Sequence, residues 1–504
     1  MDNQFDILTQ KLEGILADSF WLMPEVVLLA VLILVLLVDL IQPAGSGKIK
    51  AGIAILGVLV HTAMLVQAAL TYTDPFFIFS GYLMVSSLGY YFQILVALTT
   101  AVALVFSVLS GTFTKGAEKG EFYLIILGEL IGMQLLVMAS NLLILYLSLE
   151  CVSISSYLLA TFGFNKKSSE GGLKYFLYGA FSSGIMLYGM SILYGITGNL
   201  NFSDSTFLAS LGAANPYLVF VAILLTLSGV LFKISTFPFH TWTPDVYEGS
   251  PTPVVAFFSV APKAAAFALF IRFIYPIFGV SIPKLDWYFD WSLILSILAI
   301  ITLTIGNFAA LRQTSAKRLL AYSSIAHAGF VLMAVVAFSP LGVTSVLFYL
   351  TIYFLMNFAA FYIVDIIESK IGTEEIARFN GIGLKLPFLG VILLVVMIAL
   401  TGLPPTAGFY GKLFVFSAVW EAYELTGKNI FLCLFLFGLA NTVISLYYYL
   451  KIPYFMFFRK YENKDFLTSV SKAHYIFLTL ISIPLVFLFL KPDWLINIIS
   501  NIKL

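Results

Sequence analysis

Residues 231–254 read LFKISTFPFHTWTPDVYEGSPTPV, a polar interruption in a chain that is strongly apolar on both sides. The seventeen residues from Pro216 to Phe232 carry no charge, and VAFFSVAPKAAAFALF follows the interruption. Proline removes a backbone donor and clashes with the preceding turn, so Pro238 predicts a break in a helix. Broken backbone at membrane depth persists only where protein buries it or where it lines an aqueous cavity. We therefore expect this stretch to mark a wet interior.

The composition is that of a polytopic membrane protein. The 504 residues are 61% hydrophobic and 11% charged, with a mean hydropathy of +1.00, and a soluble protein needs far more charge. A net charge of +1 argues against nucleic acid as a partner. Cys151 and Cys433 sit in apolar runs without ligand spacing, so we expect buried, inert thiols. The polar, acidic start predicts no removable signal peptide.

Apolar runs long enough to cross a bilayer predict an all-α fold. Each crossing takes about 20 residues, and about fourteen such spans can be marked. Loops are short, which indicates no separate soluble domain. The spans are numbered here in chain order: 21–42, 50–71, 88–111, 122–139, 142–163, 174–197, 216–247 (interrupted), 252–278, 289–311, 317–338, 342–367, 386–426 (interrupted), 429–452 and 473–490.

The basic residues predict the orientation of the chain. Eighteen of the 27 lie in loops that follow odd-numbered spans, and six lie on the opposite side. This bias predicts that the first set is cytoplasmic and that both termini are periplasmic. Three basic residues remain, and all of them fall within spans: Lys233, Lys263 and Lys412.

An ionisable group at the bilayer centre costs roughly 2.5–3.5 kcal/mol on insertion scales, so it usually faces a partner or a water-filled cavity. Lys263 lies near the middle of span 8 and reaches neither surface easily. Lys233 stands beside the first break. The alternative to a functional role for Lys233 is that its side chain simply extends to the membrane interface. Lys412 follows LTGLPPTAGFYG, a second break at Pro404 and Pro405. We interpret the three as proton-handling groups.

The two breaks also suggest internal symmetry. Spans 7 and 12 are five apart and run in opposite directions in the predicted topology, as expected of two inverted repeats with a site near the midplane. We therefore expect two inverted five-helix repeats, spans 4–8 and 9–13. The predicted division of the chain is 1–120 (spans 1–3), 121–280 (repeat 1), 281–455 (repeat 2) and 456–504 (span 14).

Buried cations need anions, and span 5 offers one. Glu150 is the only charge of that span and is the best candidate partner for Lys233, with Glu129 of span 4 a weaker one. A structural ion pair is the alternative for either acid. His240 and His327 are possible proton relays, because imidazole titrates near neutral pH, although a neutral hydrogen-bonded histidine would explain each equally well.

Other acids and histidines carry less information. Glu25 and Asp39, near the ends of span 1, are expected to be interfacial, and His61 and His474 lie near span ends. We expect no metal site and no means of binding NADH, flavin or an iron–sulfur cluster, since the phosphate-loop, dinucleotide and CxxC patterns are missing from the sequence.

Four stretches together resemble a known family: FKISTFPFHTWTPDVYEGSPTPV, SVAPKAAAF, GNFAALRQTSAKRLLAYSSIAHAGF and LTGLPPTAGFYGKLFVF. They are similar to the antiporter-like membrane subunits of bacterial NADH:quinone oxidoreductase (complex I), which are related to Mrp-type cation/proton antiporters. The likeness runs from about residue 120 to 450. Three features favour the subunit N family within this group. They are the segment TPDVYEGSPTP, a lysine rather than a glutamate at Lys412, and the early end after span 14.

The resemblance implies the function and the site. Glu150 and Lys233 match the family's glutamate–lysine pair, Lys263 its central lysine and Lys412 its distal one. FMN, iron–sulfur clusters and quinone are then expected on other subunits, and the partners are other membrane subunits, including antiporter-like ones, in a bacterial inner membrane. Quinone reduction elsewhere would drive proton transfer along the lysines. The alternatives are an Mrp-type antiporter, a subunit of a related hydrogenase and a non-transporting assembly subunit.

Overall fold

The computed structural model describes residues 12–42, 47–72, 74–113, 119–279, 289–460 and 470–502. Within these ranges, thirteen helices are long and apolar enough to cross a membrane, which confirms an all-α polytopic fold. They form every predicted span except span 12, and the span numbers are kept for them. Their bounds are Leu12–Ile41, Gly47–Thr71, Ser87–Leu109, Gly120–Met138, Leu142–Ala160, Lys166–Thr197, Pro216–Lys233, Thr252–Phe278, Trp291–Leu311, Ala316–Val336, Pro340–Ile371, Asn429–Phe458 and Lys472–Leu490.

The remaining elements are two short strands and the helices outside the thirteen spans. Spans 2 and 3 are joined by an antiparallel hairpin of two strands in which Phe76 pairs with Val85. The strands are Phe76–Ile78 and Leu83–Val85, and the additional helices are Ser205–Ala213, Thr243–Gly249, Ile382–Lys385, Pro387–Thr401, Ala407–Thr426 and Asp493–Ser500.

Spans 7 and 12 are both broken, as predicted. Span 7 consists of Pro216–Lys233 and Thr243–Gly249, and span 12 of Pro387–Thr401 and Ala407–Thr426. The prolines of the breaks do not face the interior: Pro238, Pro404 and Pro405 are exposed on the surface of the chain. The buried parts of the breaks are instead hydroxyl residues and the helix ends, namely Ser235, Thr236, Thr401 and Thr406.

The break in span 7 keeps its freed backbone groups bonded. A helix end leaves carbonyls without partners. Here the Thr236 N–H donates to the carbonyl of Leu231 (3.0 Å), and the indole N–H of Trp242 donates to that of Phe232 (3.1 Å). The loop is held to span 9 because the Phe237 N–H donates to the Thr302 hydroxyl (3.0 Å). The interruption is therefore a fixed feature of the fold.

Span 8 is the central helix. All of its residues from Thr252 to Ile274 are buried, and it packs against spans 3, 4, 5, 7, 10 and 11. Spans 10 and 11 are also largely buried, whereas span 1 lies at the rim. The middle of span 8, where Lys263 sits, is therefore the part of the chain most fully enclosed by protein.

The two cysteines are not buried, contrary to the expectation from the sequence. Cys151 and Cys433 are both exposed, because each lies on the outward face of its helix rather than on the face that packs. The Cys151 thiol lies 3.6 Å from the carbonyl of Gly128. A thiol on an apolar outer face of a membrane helix needs no metal or disulfide partner, so the inert interpretation is unaffected.

Spans 6 and 7 cross at very short range. A Cβ added to Gly189 of span 6 would lie 2.4 Å from the Thr226 nitrogen and 2.8 Å from the Ala222 carbonyl oxygen of span 7. Backbone atoms cannot turn aside as a side chain can. The position of Lys233, at the end of span 7, thus depends on the absence of a side chain at Gly189.

We expect Gly189→Ala to destabilise the protein by about 1–3 kcal/mol, the range for overpacked sites, and to lower its melting temperature in detergent. Gly184→Ala on the same helix is the matched control, because a Cβ there meets no atom within 4 Å. Equal melting temperatures for the two variants would contradict the close crossing.

Candidate proton-transfer site

The buried lysines of the described residues fall into two groups. Lys50 and Lys317, which begin the predicted spans 2 and 10, form ion pairs, with Asp39 and with Glu368. Lys233, Lys263 and Lys412 are 1%, 2% and 4% exposed, and none of them has a carboxylate oxygen within 4.0 Å among the described residues. Their ammonium groups are held only by hydroxyls, carbonyls and rings.

Lys233 is the last residue of the first helix of span 7. Its ammonium donates to the Ser156 hydroxyl (3.2 Å) and the Tyr175 hydroxyl (3.4 Å). Ser156 in turn donates to a carboxyl oxygen of Glu129 (2.7 Å). Tyr175 is fixed by stacking on Trp242, with ring centroids 4.2 Å apart. A single hydroxyl thus connects the Lys233 ammonium to a fully buried carboxyl group.

Glu129, the weaker candidate from the sequence, is therefore the acid in hydrogen-bonded reach of Lys233. Glu150 is half-buried, and no hydrogen bond or ion pair of the described residues joins it to Lys233. Both acids act electrostatically on the ammonium, Glu129 more strongly. The reason is helical phase: Glu150 is six residues from Ser156, which turns it about 120° away at 3.6 residues per turn. Direct pairing with Glu150 stays a prediction.

Lys263 is held by span 10. Its ammonium donates to the Ser324 hydroxyl (2.7 Å) and lies 3.3 Å from the Ser324 carbonyl. The Tyr353 hydroxyl of span 11 donates to the same Ser324 hydroxyl (2.8 Å). Pro262 precedes the lysine inside the helix and removes a backbone donor there. The central lysine thus has hydroxyl partners from two neighbouring spans.

His327 stands between two tyrosines. Its Nδ1 lies 2.7 Å from the Tyr349 hydroxyl and its Nε2 lies 2.8 Å from the Tyr449 hydroxyl. Tyr449 is also 2.5 Å from the Ser323 hydroxyl. Neutral imidazole has one donor and one acceptor nitrogen, so one phenol donates to the ring and the other accepts. The electrostatic effects of both Lys263 and Lys412 reach this imidazole.

Lys412 reaches back across the break of span 12. Its ammonium donates to the carbonyl of Thr401 (2.8 Å), the last residue of the first helix, and lies 4.4 Å from the centre of the Phe330 ring. A free carbonyl and an aromatic face both favour a cation. A Cβ at the preceding Gly411 would lie 3.3 Å from the ring of Tyr349, so the tyrosine that bonds His327 packs against the helix that carries this lysine.

His240, the other possible relay, lies apart from these groups. Its side chain is half-buried, its Nδ1 has no hydrogen-bond partner among the described residues, and its ring faces Phe237 at 6.0 Å. The structure thus brings His327, but not His240, into contact with the groups around the lysines. A relay through His240 stays a prediction.

Two cavities approach the lysines from opposite ends of the bundle. One, of about 860 Å³, opens where the loops after odd-numbered spans lie and is lined by Ser250, Thr252, Lys317, Glu368 and Glu374, among others. This end is called the basic face. The second, of about 850 Å³, is a groove lined mainly by apolar side chains, several of them exposed, that runs from Lys412 past Glu421 and Glu424 toward the other end, called the opposite face.

Comparison with known proteins supplies the family. The family described as "NADH:quinone oxidoreductase/Mrp antiporter, TM" matches residues 139–438. NADH-quinone oxidoreductase subunit N of Chlorobium chlorochromatii is 39% identical over 452 residues, which cover 88% of this chain and 86% of that protein. NAD(P)H-quinone oxidoreductase subunit 2 of Synechococcus sp. is 42% identical over 86% of this chain and 79% of that protein.

A solved structure agrees. A chain of "Respiratory complex I from Thermus thermophilus with bound Aureothin" is 31% identical, with a TM-score of 0.77, over 95% of this chain and 100% of that chain. The chain belongs to the NADH-quinone oxidoreductase subunit N family. The resemblance drawn from the four sequence stretches is confirmed. The family match contains Glu150 and all three lysines, whereas Glu129 and spans 1–3 precede it.

Sequence reasoning missed most neutral members of this subunit N site. Ser156, Tyr175, Ser324, Tyr349, Tyr353 and Tyr449 were not selected. The sequence spacing could have indicated some of them. Tyr349 and Tyr353 are four residues apart on span 11, and Ser323 and Ser324 precede His327 by one helical turn. Residues at such spacing share one face of a helix.

We expect Gly402→Ala to displace Lys412, because a Cβ at Gly402 would lie 2.6 Å from the lysine Cδ. The added side chain also opposes the positive φ of +84°, at a cost of about 1–2 kcal/mol. Gly427→Ala is the matched control: its φ is +66°, but a Cβ there meets no atom within 4 Å. Both variants should lose stability, and only Gly402→Ala should lower proton pumping per electron in the assembled complex. Equal pumping in both would remove Lys412 from the pathway.

Replacing Tyr449 by Phe should also lower proton pumping per electron, because it removes one of the two hydroxyls that bond His327. The stability cost should be about 1–3 kcal/mol, because the hydroxyl bonds both His327 and Ser323. Tyr362→Phe is the control, since that hydroxyl bonds a different histidine, His474, at 2.6 Å. Pumping that falls equally in both variants would indicate a packing effect rather than a relay.

Proposed function

We propose that this chain is the proton-translocating antiporter-like subunit of an NADH:quinone oxidoreductase, and that Lys233, Lys263 and Lys412 carry the protons. The observation that supports this most directly is the bonding of the three ammonium groups. Each is buried within the bundle, each lacks a direct carboxylate among the described residues, and each is bonded to neutral hydroxyl or carbonyl oxygens. A lysine bonded in this way can change its protonation state without breaking an ion pair.

The groups form a line across the chain. Glu129, Ser156 and Lys233 form its first part, and Lys263 with Ser324 and Tyr353 its second. His327 and its tyrosines lead on toward Lys412. Between the first and second parts no hydrogen bond of the described residues makes a connection, and Phe258 packs edge-on against Tyr175 there, at 5.9 Å. We propose that proton transfer between Lys233 and Lys263 requires a rearrangement at this point.

Protons enter, in this proposal, from the basic face. The cavity of about 860 Å³ ends at Ser250 and Thr252, and behind it lie the hydroxyls of Thr243 and Tyr247 and the side-chain amide of Asn357. All of these are buried, and their side-chain polar atoms have no hydrogen-bond partner among the described residues. Buried polar groups are normally bonded to protein or water. Such a series suits a hydrated inlet toward Lys263.

Charged residues surround the mouth of this inlet. Lys317 pairs with Glu368 and lies 3.7 Å from Glu374. Burial raises the pKa of Glu374 above its usual value, although the charge of Lys317 opposes the shift. A carboxyl group with a raised pKa at a cavity mouth takes up a proton from solvent more readily than an ordinary glutamate does.

Protons leave by way of Lys412. The second cavity begins at this lysine and extends to the opposite face. Together with the positive-inside bias, this gives uptake from the cytoplasm and release to the periplasm of a bacterial inner membrane, with both chain termini periplasmic. The other membrane subunits of the complex, including further antiporter-like ones, are the expected partners, and FMN, iron–sulfur clusters and quinone are expected on other subunits.

The driving step acts on Glu129. Its carboxylate stabilises the Lys233 ammonium through Ser156, while burial favours the neutral lysine. A change elsewhere in the complex that moves Glu129 away or neutralises it would release the proton of Lys233 toward Lys263. Glu150 contributes to the same field from greater distance. The chain itself supplies acids, bases and hydroxyls for this step, and quinone reduction on other subunits supplies the energy.

The division into inverted repeats, 121–280 and 281–455, stays part of the proposal. It is supported by two broken spans that are five apart, each with a buried lysine beside the break. The lysines are placed differently: Lys233 ends the first helix of its pair, whereas Lys412 lies in the second helix and bonds back to the first.

The test is a set of single variants in the assembled complex: Glu129→Gln, Glu150→Gln, Lys233→Ala, Lys263→Ala and Lys412→Ala. Proton pumping per electron should fall in all three lysine variants, and Glu129→Gln should lower it more than Glu150→Gln, because Glu129 has the hydrogen-bonded route. Lys50→Ala, a buried but ion-paired lysine, serves as the comparison for lost stability. Normal pumping in all lysine variants with normal assembly would overturn the proposal.

An Mrp-type antiporter is the second candidate, because the matching family includes such proteins. Pumping that depends on Na⁺ or K⁺ in vesicles, without quinone reduction, would favour it. Pumping that follows NADH oxidation at any Na⁺ concentration would favour the first proposal.

A further inference from the structure

Span 1 contains a buried acid that the proposed pathway does not use. Glu25 is only 8% exposed, although its position in the sequence suggested an interfacial residue. No basic residue pairs with it among the described residues. When an ionisable group lies inside a membrane protein without a counter-ion, a functional role is the default explanation. Glu25 lies in the three-helix unit that precedes the family match.

Three helices surround this carboxyl group. One of its oxygens accepts a hydrogen bond from the side-chain amide of Gln93 in span 3 (3.0 Å). Gln134, in span 4, donates to the Gln93 carbonyl (3.2 Å). His61, in span 2, lies 2.9 Å from the carbonyl of Pro24, next to Glu25. Because a carbonyl only accepts, Nδ1 of His61 is the donor in that bond.

Glu25, Gln134 and His61 each have a further polar side-chain atom that the described residues leave unbonded. They are the second carboxyl oxygen of Glu25, the amide oxygen of Gln134 and Nε2 of His61, and the last two residues are fully buried. The amide oxygen is an acceptor, and so is Nε2 in a neutral ring whose Nδ1 carries the hydrogen. The cluster therefore has several unbonded hydrogen-bond acceptors and no unbonded donor among these atoms. One added proton or water molecule would supply a donor.

The cluster lies between the middle of the chain and the opposite face. Gln134 is five residues after Glu129 on span 4, nearer the end of that helix at Met138. Arg272, at the same end of span 8, bonds the hairpin carbonyl of Met84 (3.0 Å) and the Ser86 hydroxyl. Tyr90 lies within electrostatic reach of Glu25, and His61 bonds the neighbouring Pro24 carbonyl, whereas no ion pair of the described residues joins Glu25 to a fixed positive charge.

We propose that Glu25, with Gln93, Gln134 and His61, forms a second proton-binding site, between spans 1–4 on the side of the opposite face. The inference rests on the proposed function, which it extends: this site takes up one proton on the side of Glu129, becomes a neutral carboxylic acid, and releases the same proton to the opposite face. It is separate from the exit at Lys412. Gln93 holds the carboxyl group in place, and the O–H of the neutral acid donates to one acceptor of the cluster or to a water bound among them.

The test uses the whole complex carrying Glu25→Gln, which keeps the size and the acceptor for Gln93. We expect assembly and NADH:quinone electron transfer to be unchanged and proton pumping per electron to fall. Reaction-induced infrared difference spectra should lose one carbonyl-stretch band of a protonated carboxylic acid, a band that shifts in D₂O. Glu25→Asp, which keeps the acid, should shift this band instead and supports the measurement if Glu25→Gln assembles poorly.

Two comparisons separate the explanations. Gln93→Leu removes the hydrogen bond to Glu25 but keeps the carboxyl group. If the role of Glu25 is purely structural, Gln93→Leu should lower pumping as much as Glu25→Gln does, and neither variant should lose the infrared band. That combined result overturns the inference. Normal pumping and an unchanged spectrum in Glu25→Gln, beside reduced pumping in Glu129→Gln, also overturn it and leave the proposed function standing. Normal pumping in the lysine variants overturns the proposed function, and the infrared band alone then decides whether Glu25 binds a proton.

Discussion

An ammonium group inside a membrane must be bonded, and the kind of partner decides what it can do. A carboxylate in direct contact gives a strong pair, and removing either member leaves an uncompensated buried charge. Lys50 and Lys317 are held in this way and serve the fold. Hydroxyls and carbonyls satisfy the same hydrogens with dipoles only. A lysine with such partners loses less when its proton leaves, because the groups that remain are neutral.

The lysines lie beside interruptions of regular helical hydrogen bonding. Lys233 is the last helical residue before one break, Lys412 bonds a carbonyl that the other break leaves free, and Lys263 follows Pro262 inside span 8. The end of a helix carries partial negative charge on its unbonded carbonyls, which favours a cation at Lys233 and Lys412. Neighbouring spans supply the hydroxyl partners of Lys233 and Lys263. The polar groups of the break in span 7 are bonded by Trp242 and Thr302.

The sequence predicts those parts of the site that depend on one helix at a time. Long apolar runs locate the spans, proline and glycine locate the breaks at Pro238 and Pro404, and the isolated charges identify the three lysines. What could not be predicted depends on how helices are rotated against each other. The hydrogen-bonded route from Lys233 to Glu129 depends on which face of span 5 carries Ser156, and the burial of Glu25 depends on the packing of span 1 on spans 2 and 4. Uncharged tyrosines and serines give no signal in a hydropathy profile, so the neutral partners were missed.

The two ends of the lysine line differ in a way that gives it direction. At Lys233 a full negative charge acts through one hydroxyl, from a carboxyl group that has no other cation beside it among the described residues. At Lys412 the stabilising groups are one carbonyl dipole and one aromatic face, with the ring centre at 4.4 Å. A charge interacts over longer distance and more strongly than a dipole or a quadrupole. A change in the charge or position of Glu129 therefore alters the Lys233 end far more than the Lys412 end. In the proposed function this difference between the ends biases where a proton rests, and passage from Lys233 to Lys263 still requires the rearrangement beside Phe258.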